Sequence, residues 1–115
     1  MKIIVDAMGG DYAPKVVVEG ALAAGKELSC KIALIGKEQD IRQELKKCGG
    51  GIDSIEIINA PEVIGMGEPA ALSIRKKRNS SIVKGIELLK EEKADAFFSA
   101  GNTGAVVCAA TLGLG

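Results

Sequence analysis

The sequence KIIVDAMGGDYAP, residues 2–14, contains a strand, a loop and the start of a helix in direct succession. Lys2–Asp6 is short, apolar and β-branched, as a buried strand of a parallel sheet is. Two adjacent glycines follow in the loop, and Pro14 suits the first position of a helix. We therefore predict a helix from Pro14 to about Leu28. The apolar stripe of this helix consists of Val17, Ala21, Ala24 and Leu28.

Short apolar runs and amphipathic segments alternate along the rest of the chain. The predicted strands are residues 31–35, 55–58 and 96–99, and the predicted helices are residues 38–48, 69–77, 80–92 and 105–112. In the second helix, Ile41, Leu45 and Cys48 form one face, and the glycines at 49–51 end it. This alternation is typical of βαβ units, so we predict one α/β domain whose mostly parallel sheet carries helices on both faces.

Composition excludes several classes of function. The 115 residues include 15 Lys and Arg and 15 Asp and Glu, so the formal net charge is zero, whereas a nucleic-acid-binding domain is normally basic. Aromatic residues make up 3%, too few for a platform that stacks single-stranded bases. The chain has no His, which excludes a Ser-His-Asp triad, a Cys-His pair and a His-ligated zinc site within it.

The cysteines and the apolar runs bear on location. Cys30, Cys48 and Cys108 are odd in number and far apart, which favours reduced thiols over a disulfide framework or a zinc site. No secretory signal or apolar run of about 20 residues is visible, so we expect a soluble, cytoplasmic protein. The apolar segment 105–114 stands at the end of the chain. We expect either that the chain is truncated there or that a partner covers this helix.

The loop Asp6–Asp11 is the first candidate site, because ligands of open parallel sheets bind at the carboxyl ends of the strands. Gly9 and Gly10 allow the backbone to approach a ligand. Asp6 ends the strand, and Asp11 either caps the next helix or accepts hydrogen bonds from a substrate. A simple turn with a helix cap is an equally good interpretation. The glycine spacing fits a dinucleotide pyrophosphate poorly.

The loop Ser99–Gly104 (SAGNTG) follows the last predicted strand and leads directly into a helix. The first N–H groups of a helix have no partner within it, and together with the helix dipole they form an anion site. Asn102 or Thr103 is expected to cap this helix, and both side chains are also suited to hold phosphate oxygens. The sequence thus predicts an anion site at this loop.

The segment Arg75–Ser81 (RKKRNSS) places four cations before a helix that begins with two hydroxyl groups. Cations oppose the dipole at a helix N-terminus, and a bound anion would relieve that conflict. The alternative is a solvated helix end. By helical spacing, Arg75 and Arg78 share one side and Lys77 points elsewhere. The three segments together predict a phosphate or phosphoester site built from two helix N-termini, a cationic cluster and an acidic glycine loop.

Taken together, the segments DAMGGDYAP (6–14), RKKRNSSIVKG (75–85) and SAGNTGA (99–105) resemble the signatures of the bacterial PlsX family of phosphate acyltransferases. The resemblance spans essentially the whole chain. It implies a three-layer α/β/α sandwich with a mostly parallel sheet, similar to phosphotransacetylase and to isocitrate and isopropylmalate dehydrogenases. It also implies an enzyme that transfers a fatty acyl group from acyl-acyl carrier protein to inorganic phosphate, giving acyl phosphate for phospholipid synthesis.

We predict no cofactor and no metal site, because phosphate itself can attack the thioester. The resemblance further implies a homodimer that can associate peripherally with a membrane through parts outside this chain. On this basis Asn102 and Thr103 are the predicted catalytic residues, and Asn102→Ala is expected to lower turnover far more than stability. Asp6 and Asp11 are expected to orient groups rather than act as bases. The predicted substrate-binding residues are Asp6, Gly9, Gly10, Asp11, Arg75, Lys77, Ser80, Ser81, Ser99, Gly101 and Gly104.

The chain also departs from the family in two respects. Family members are considerably longer, so residues 1–115 are expected to be the N-terminal part of one α/β domain, inactive alone and without a later family lysine implicated in catalysis. The segment Glu68–Ser73 differs slightly from the family pattern. Two alternatives stay open: a phosphotransacetylase that acts on coenzyme A thioesters, and a non-catalytic module that binds phosphorylated ligands.

Overall fold

The computed structural model describes residues 1–49 and 55–114. In these ranges the chain forms four strands and five helices in the predicted alternation. They are β1 (Lys2–Asp6), α1 (Lys15–Glu27), β2 (Lys31–Gly36), α2 (Glu38–Lys47), β3 (Ile55–Asn59), α3 (Ala70–Lys76), α4 (Ser81–Lys90), β4 (Ala96–Phe98) and α5 (Thr103–Leu114). The strands form one sheet in the order β3-β2-β1-β4, and every neighbouring pair is parallel. This confirms the predicted α/β class.

Helices cover both faces of the sheet, as the apolar strands require. On one face, Val18 of α1 and Ile41 and Leu45 of α2 pack against Leu34 of β2. On the other face, Ile4 of β1 belongs to a second apolar cluster, against which partly buried side chains of α4 and β4 pack. A third cluster joins α3, α4 and α5 on that same side. The result is three layers, with the sheet in the middle.

Two details of the predicted helix faces are wrong. Leu28 is exposed, whereas Val18 is fully buried, because α1 ends at Glu27 and Leu28 is already extended. Cys48 is also exposed, since α2 ends at Lys47 and Cys48 only caps it. The predicted stop after α2 is confirmed at Gly49, whose φ is +82°; the other two glycines of that triplet lie outside the described residues.

The strand order determines where a ligand crevice lies. From β1 the chain crosses through α1 to β2 on one side, whereas β4 lies on the other side of β1. In open α/β sheets, the loops that leave two such strands in opposite directions separate and open a crevice at their carboxyl ends. The two glycine loops, 7–11 and 99–102, are the segments at this position. No helix among the described residues has the length and apolar character needed to cross a membrane.

Candidate functional site

Hydrogen bonds link the loops after β1 and β4 at the crevice. Asp6, only 2% exposed, accepts a hydrogen bond from the Ser99 hydroxyl at 2.8 Å and another from the Met8 N–H at 3.0 Å. The Ser99 oxygen in turn accepts one from the Gly101 N–H at 3.1 Å. The carboxylate at the end of β1 therefore orients the glycine loop after β4.

The same two loops touch through their backbones, which explains their glycines. A Cβ added at Gly9 would lie 2.6 Å from the Gly101 nitrogen and 3.0 Å from the Asp6 Oδ2 atom. Gly10 has a φ of +100°, a conformation that other residues rarely adopt. Close packing and an unusual turn, rather than flexibility, thus require glycine at these two positions. Asp11, next to them, is exposed, and the N-terminus of α1 has no side-chain cap, so the predicted capping role of Asp11 is wrong.

Asn102 caps α5. Its Oδ1 atom accepts a hydrogen bond from the Ala105 N–H at 3.0 Å, as the sequence predicts for Asn102 or Thr103. Thr103 and Gly104, in the first turn, are exposed. In the described part of the chain, no acceptor is bonded to their two N–H groups. The first turn of α5 directly follows the crevice loop 99–102, and it has one exposed hydroxyl and two exposed amides without an acceptor among the described residues. An oxyanion binds groups of this kind.

The amide nitrogen of Asn102 is bound on its other side to the turn Gly65–Glu68. It donates to the carbonyl oxygens of Gly65 at 3.0 Å and Glu68 at 2.9 Å, with Met66 at 3.4 Å. The side chain is only 6% exposed. Its hydrogen bonds in this structure thus hold the chain together, and they place Asn102 as a link between the α5 N-terminus and this turn. Direct action on a substrate stays a prediction.

Glu68 and Lys77 form an ion pair behind this turn. The Lys77 ammonium lies 2.9 Å from the Glu68 carboxylate and donates to the Val63 carbonyl oxygen at 2.7 Å. Glu68 also accepts hydrogen bonds from the Gly65 N–H at 2.5 Å and the Ser73 hydroxyl at 3.5 Å. Lys77, Gly65 and Ser73 together lower the pKa of the Glu68 carboxyl, against a smaller opposing effect of burial.

Arg75 and Arg78 lie away from the glycine loops. Both line a cavity of about 380 Å³, together with Leu112 and Gly113 at the far end of α5. At 1.5 Å per residue, that end of α5 is about 12 Å along the helix from Gly104. The predicted division between these two arginines and Lys77 is thus observed. The predicted single cationic cluster beside the glycine loop is not observed, because the arginines and Lys77 lie at different places.

The N-terminus of α4 is closed by its own chain. Ser80 is fully buried and accepts a hydrogen bond from the Val83 N–H at 3.2 Å. The Ser81 N–H donates to the Glu62 carbonyl oxygen at 3.3 Å, and the Glu62 carboxylate accepts from the Asn79 N–H at 3.0 Å. The Glu62 carbonyl oxygen thus takes the first amide of α4, where a bound anion was predicted, and the Glu62 carboxylate binds the segment just before the cap. Ser80 therefore caps α4. The hydroxyl groups of Ser80 and Ser81 are buried and do not lie at the crevice.

The structure therefore gathers only part of the predicted set. Asp6, Gly9, Gly10, Ser99 and Gly101 meet at the crevice. Asn102, Thr103 and Gly104 follow directly at the start of α5. Lys77 connects to them through the Gly65–Glu68 turn. Of the other predicted residues, Asp11 is exposed next to Gly10, whereas Arg75, Ser80 and Ser81 lie elsewhere. Sequence reasoning missed Glu68, which it noted only as part of a departure from a family pattern. Its position between Gly67 and Pro69 indicates a turn, but its partners are distant in sequence. Among the described residues, no three potential ligand side chains could hold a metal ion.

Known proteins are similar to this chain over its full length. A family model described as "Fatty acid synthesis protein" matches residues 1–115. The phosphate acyltransferase of Dictyoglomus thermophilum is 53% identical over 115 residues, which cover 100% of this chain and 34% of that protein. The phosphate acyltransferase of Pelotomaculum thermopropionicum is 49% identical, with 100% of this chain and 33% of that protein covered. The chain spans about a third of the length of these relatives.

A solved structure supports the fold independently. A phosphotransacetylase from Streptococcus pyogenes superposes with a TM-score of 0.66 at 24% sequence identity, covering 96% of this chain and 36% of that chain. The predicted phosphotransacetylase-like architecture is thereby confirmed.

Proposed function

Because the chain belongs to the family of fatty acid synthesis proteins, we propose that the complete protein transfers a fatty acyl group from acyl-acyl carrier protein to inorganic phosphate. Relatives that are 49–53% identical carry the name phosphate acyltransferase. The acyl donor and the acyl phosphate product are specific to our proposal. We place phosphate at the first turn of α5.

The observation that carries the proposal is the exposed first turn of α5. It follows β4, next to the crevice between β1 and β4 where the direction of the strand order reverses. Thr103 and Gly104 present two N–H groups and a hydroxyl there, beside the loop that Asp6 holds through Ser99. Amides fixed by a cap bind phosphate oxygens or a developing oxyanion without further reorganisation. Asn102, as the cap, orients this turn.

The reaction follows from the chemistry of phosphate. A phosphate oxygen attacks the thioester carbonyl carbon, a C–O bond forms, and the C–S bond breaks with the electron pair leaving on sulfur. The released thiolate takes up a proton. Phosphate is itself the nucleophile, so this step needs no histidine, and the chain has none. Holding a phosphate oxygen above the plane of the thioester, next to the carbonyl carbon, supplies the entropic part of the rate enhancement. Homodimerisation and membrane association stay predictions from the family resemblance, and a cytoplasmic location stays a prediction from the sequence.

The experiment compares acyl donors with the complete protein. Acyl-acyl carrier protein and acyl-coenzyme A are each supplied with radiolabelled phosphate, and the labelled acyl phosphate is extracted and quantified. We expect phosphate-dependent product from the carrier-protein thioester. Product from the coenzyme A thioester alone would favour a phosphotransacetylase. Binding of carrier protein without any product would favour a non-catalytic binding module.

A matched pair of variants on one helix tests where phosphate binds. Thr103 and Thr111 are both exposed on α5, one in its first turn and one near its end. Thr103→Val should raise the KM for phosphate about tenfold, because the protein loses one hydroxyl that donates a hydrogen bond to a charged ligand. Thr111→Val should leave that KM unchanged. Equal effects of the two substitutions would place phosphate elsewhere.

A further inference from the structure

The turn Gly65–Glu68 is held at both its ends by one carboxylate. The Glu68 side chain accepts a hydrogen bond from the Gly65 N–H, which closes the turn, and it contacts the Lys77 ammonium at 2.9 Å. The same ammonium donates to the Val63 carbonyl oxygen at 2.7 Å. The pair therefore connects the segment before the turn, the turn itself and the C-terminal end of α3.

This bracing matters because α3 is short. It has seven residues, Ala70–Lys76, and a helix of that length is not stable by itself in water. Glu68 stands just before its first residue and Lys77 caps its end. An ion pair across its two ends gives α3 a defined position, and Gly104 approaches α3 closely: a Cβ added there would lie 3.1 Å from Ala70 Cβ.

The turn is hydrogen-bonded to the start of α5 through the Asn102 side chain. The Asn102 amide donates to carbonyl oxygens at both ends of the turn, those of Gly65 and Glu68, while its Oδ1 atom caps α5. A change in the shape of the turn therefore changes the direction of the Asn102 side chain. The first turn of α5 would move with it.

We infer that Glu68 and Lys77 are positioning residues, which fix the phosphate-binding turn of α5 through the Gly65–Glu68 turn and the amide of Asn102. Neither residue contacts phosphate in this scheme. Lys77 acts through Glu68 rather than as a phosphate ligand, which replaces the role that its place in a cationic segment predicted. The kinetic part of this inference rests on the proposed function; the structural part does not.

The test uses Glu68→Gln, Lys77→Met, Lys77→Arg and the double variant Glu68→Gln/Lys77→Met in the complete protein. Glu62→Gln is the matched control, because Glu62 carries the same charge in the same loop but bonds to the Asn79 N–H instead of to the turn. All variants are compared at a temperature where each is folded. The measured quantities are KM for phosphate, kcat, and hydrogen exchange at the Ala105 and Val106 amides.

We expect Glu68→Gln and Lys77→Met each to raise the KM for phosphate about tenfold, with a smaller change in kcat, because displaced binding groups weaken the site. The double variant should be no worse than either single variant, since both break one unit. Lys77→Arg should restore most of the wild-type KM. Amide exchange at Ala105 and Val106 should accelerate in Glu68→Gln and not in Glu62→Gln.

Three results would overturn the inference. The first is an unchanged KM and unchanged amide exchange in Glu68→Gln. The second is a KM for phosphate in the double variant that rises by the product of the two single effects, which would show that Lys77 acts directly on phosphate. The third is an equal effect of Glu62→Gln. If the complete protein forms no acyl phosphate, the proposed function fails, and the exchange at Ala105 and Val106 still decides whether Glu68 positions α5.

Discussion

The N-termini of α4 and α5 are capped in the same way and surrounded differently. At α4 the Ser80 oxygen accepts from the Val83 N–H at 3.2 Å, and at α5 the Asn102 oxygen accepts from the Ala105 N–H at 3.0 Å. The first residue of α4, Ser81, is buried and donates its N–H to the chain at Glu62. The first residue of α5, Thr103, is exposed.

This difference shows that a cap and a dipole do not by themselves make an anion site. Both helices carry the partial positive charge of an N-terminus. At α4 the Glu62 carbonyl oxygen accepts from the Ser81 N–H, and Ser81 and Ile82 are buried, so the first turn is closed to a ligand. At α5 the amides of the first turn are left for a ligand. Four substitutions or measurements test this contrast.

Substitution at Gly9 should have the largest effect. The added Cβ in Gly9→Ala would lie 2.6 Å from the Gly101 nitrogen, so the loop before α5 must move. We expect kcat/KM of the complete protein for phosphate to fall about 100-fold, as catalytic misplacement by an ångström does. Gly20→Ala is the matched control, because a Cβ there meets nothing within 4 Å, and it should add up to about 1 kcal/mol of stability. If Gly9→Ala keeps the wild-type kcat/KM, the contact between Gly9 and Gly101 is not needed for the reaction.

Loss of the α5 cap should be the next largest effect. Asn102→Ala removes the cap and leaves the carbonyl oxygens of Gly65 and Glu68 without their donor. We expect a loss of roughly 2–3 kcal/mol in the free energy of unfolding, measured with urea, as well as a higher KM for phosphate. Asn102→Asp keeps the cap oxygen but not the donor, and comparison of the two separates these contributions. A loss of turnover at unchanged stability would instead support direct catalysis by Asn102, as the sequence predicts.

Loss of the α4 cap should be smaller and confined to stability. Ser80→Ala removes the acceptor of the Val83 N–H, for which a cost of about 1 kcal/mol is typical. The KM for phosphate should not change, because Glu62 closes this N-terminus. Unfolding in urea and phosphate kinetics, measured on the same preparation, provide the comparison. A raised KM would return Ser80 to the phosphate site.

The pH dependence of stability should show the smallest effect. Hydrogen bonds from Lys77 and Gly65 lower the pKa of Glu68 in the folded state. Their contribution is therefore complete above the ordinary Glu pKa of about 4.3 and is lost as the pH falls through the lower folded-state pKa. Wild-type stability should thus decrease more steeply below about pH 4 than that of Glu68→Gln. Because the pair is about one-third exposed, salt should reduce the difference. Identical pH profiles would show that the pair contributes nothing.

Local sequence features determined most of the architecture. The strand at Lys2–Asp6, the alternation of strands and helices, and the glycine loops before α1 and α5 were all predicted, because periodicity and turn residues act over a few neighbours. A cap at Asn102 or Thr103 is predicted for the same reason, and the structure shows it at Asn102. The errors in the helix faces lie at helix ends, where Leu28 and Cys48 fall just outside the last turn. Such boundaries depend on contacts rather than on spacing.

The sequence by itself thus determined the α/β class, the family resemblance and the loop that begins α5. Only the tertiary structure decided which of two similar helix N-termini stays open, and that the partner of Lys77 is Glu68. The physical reason is distance along the chain. Glu62 closes α4 from 19 residues before Ser81, and Asn102 bonds to a turn more than 30 residues before it. Contacts of that range depend on how the whole sheet and its helices pack, and no local pattern encodes them.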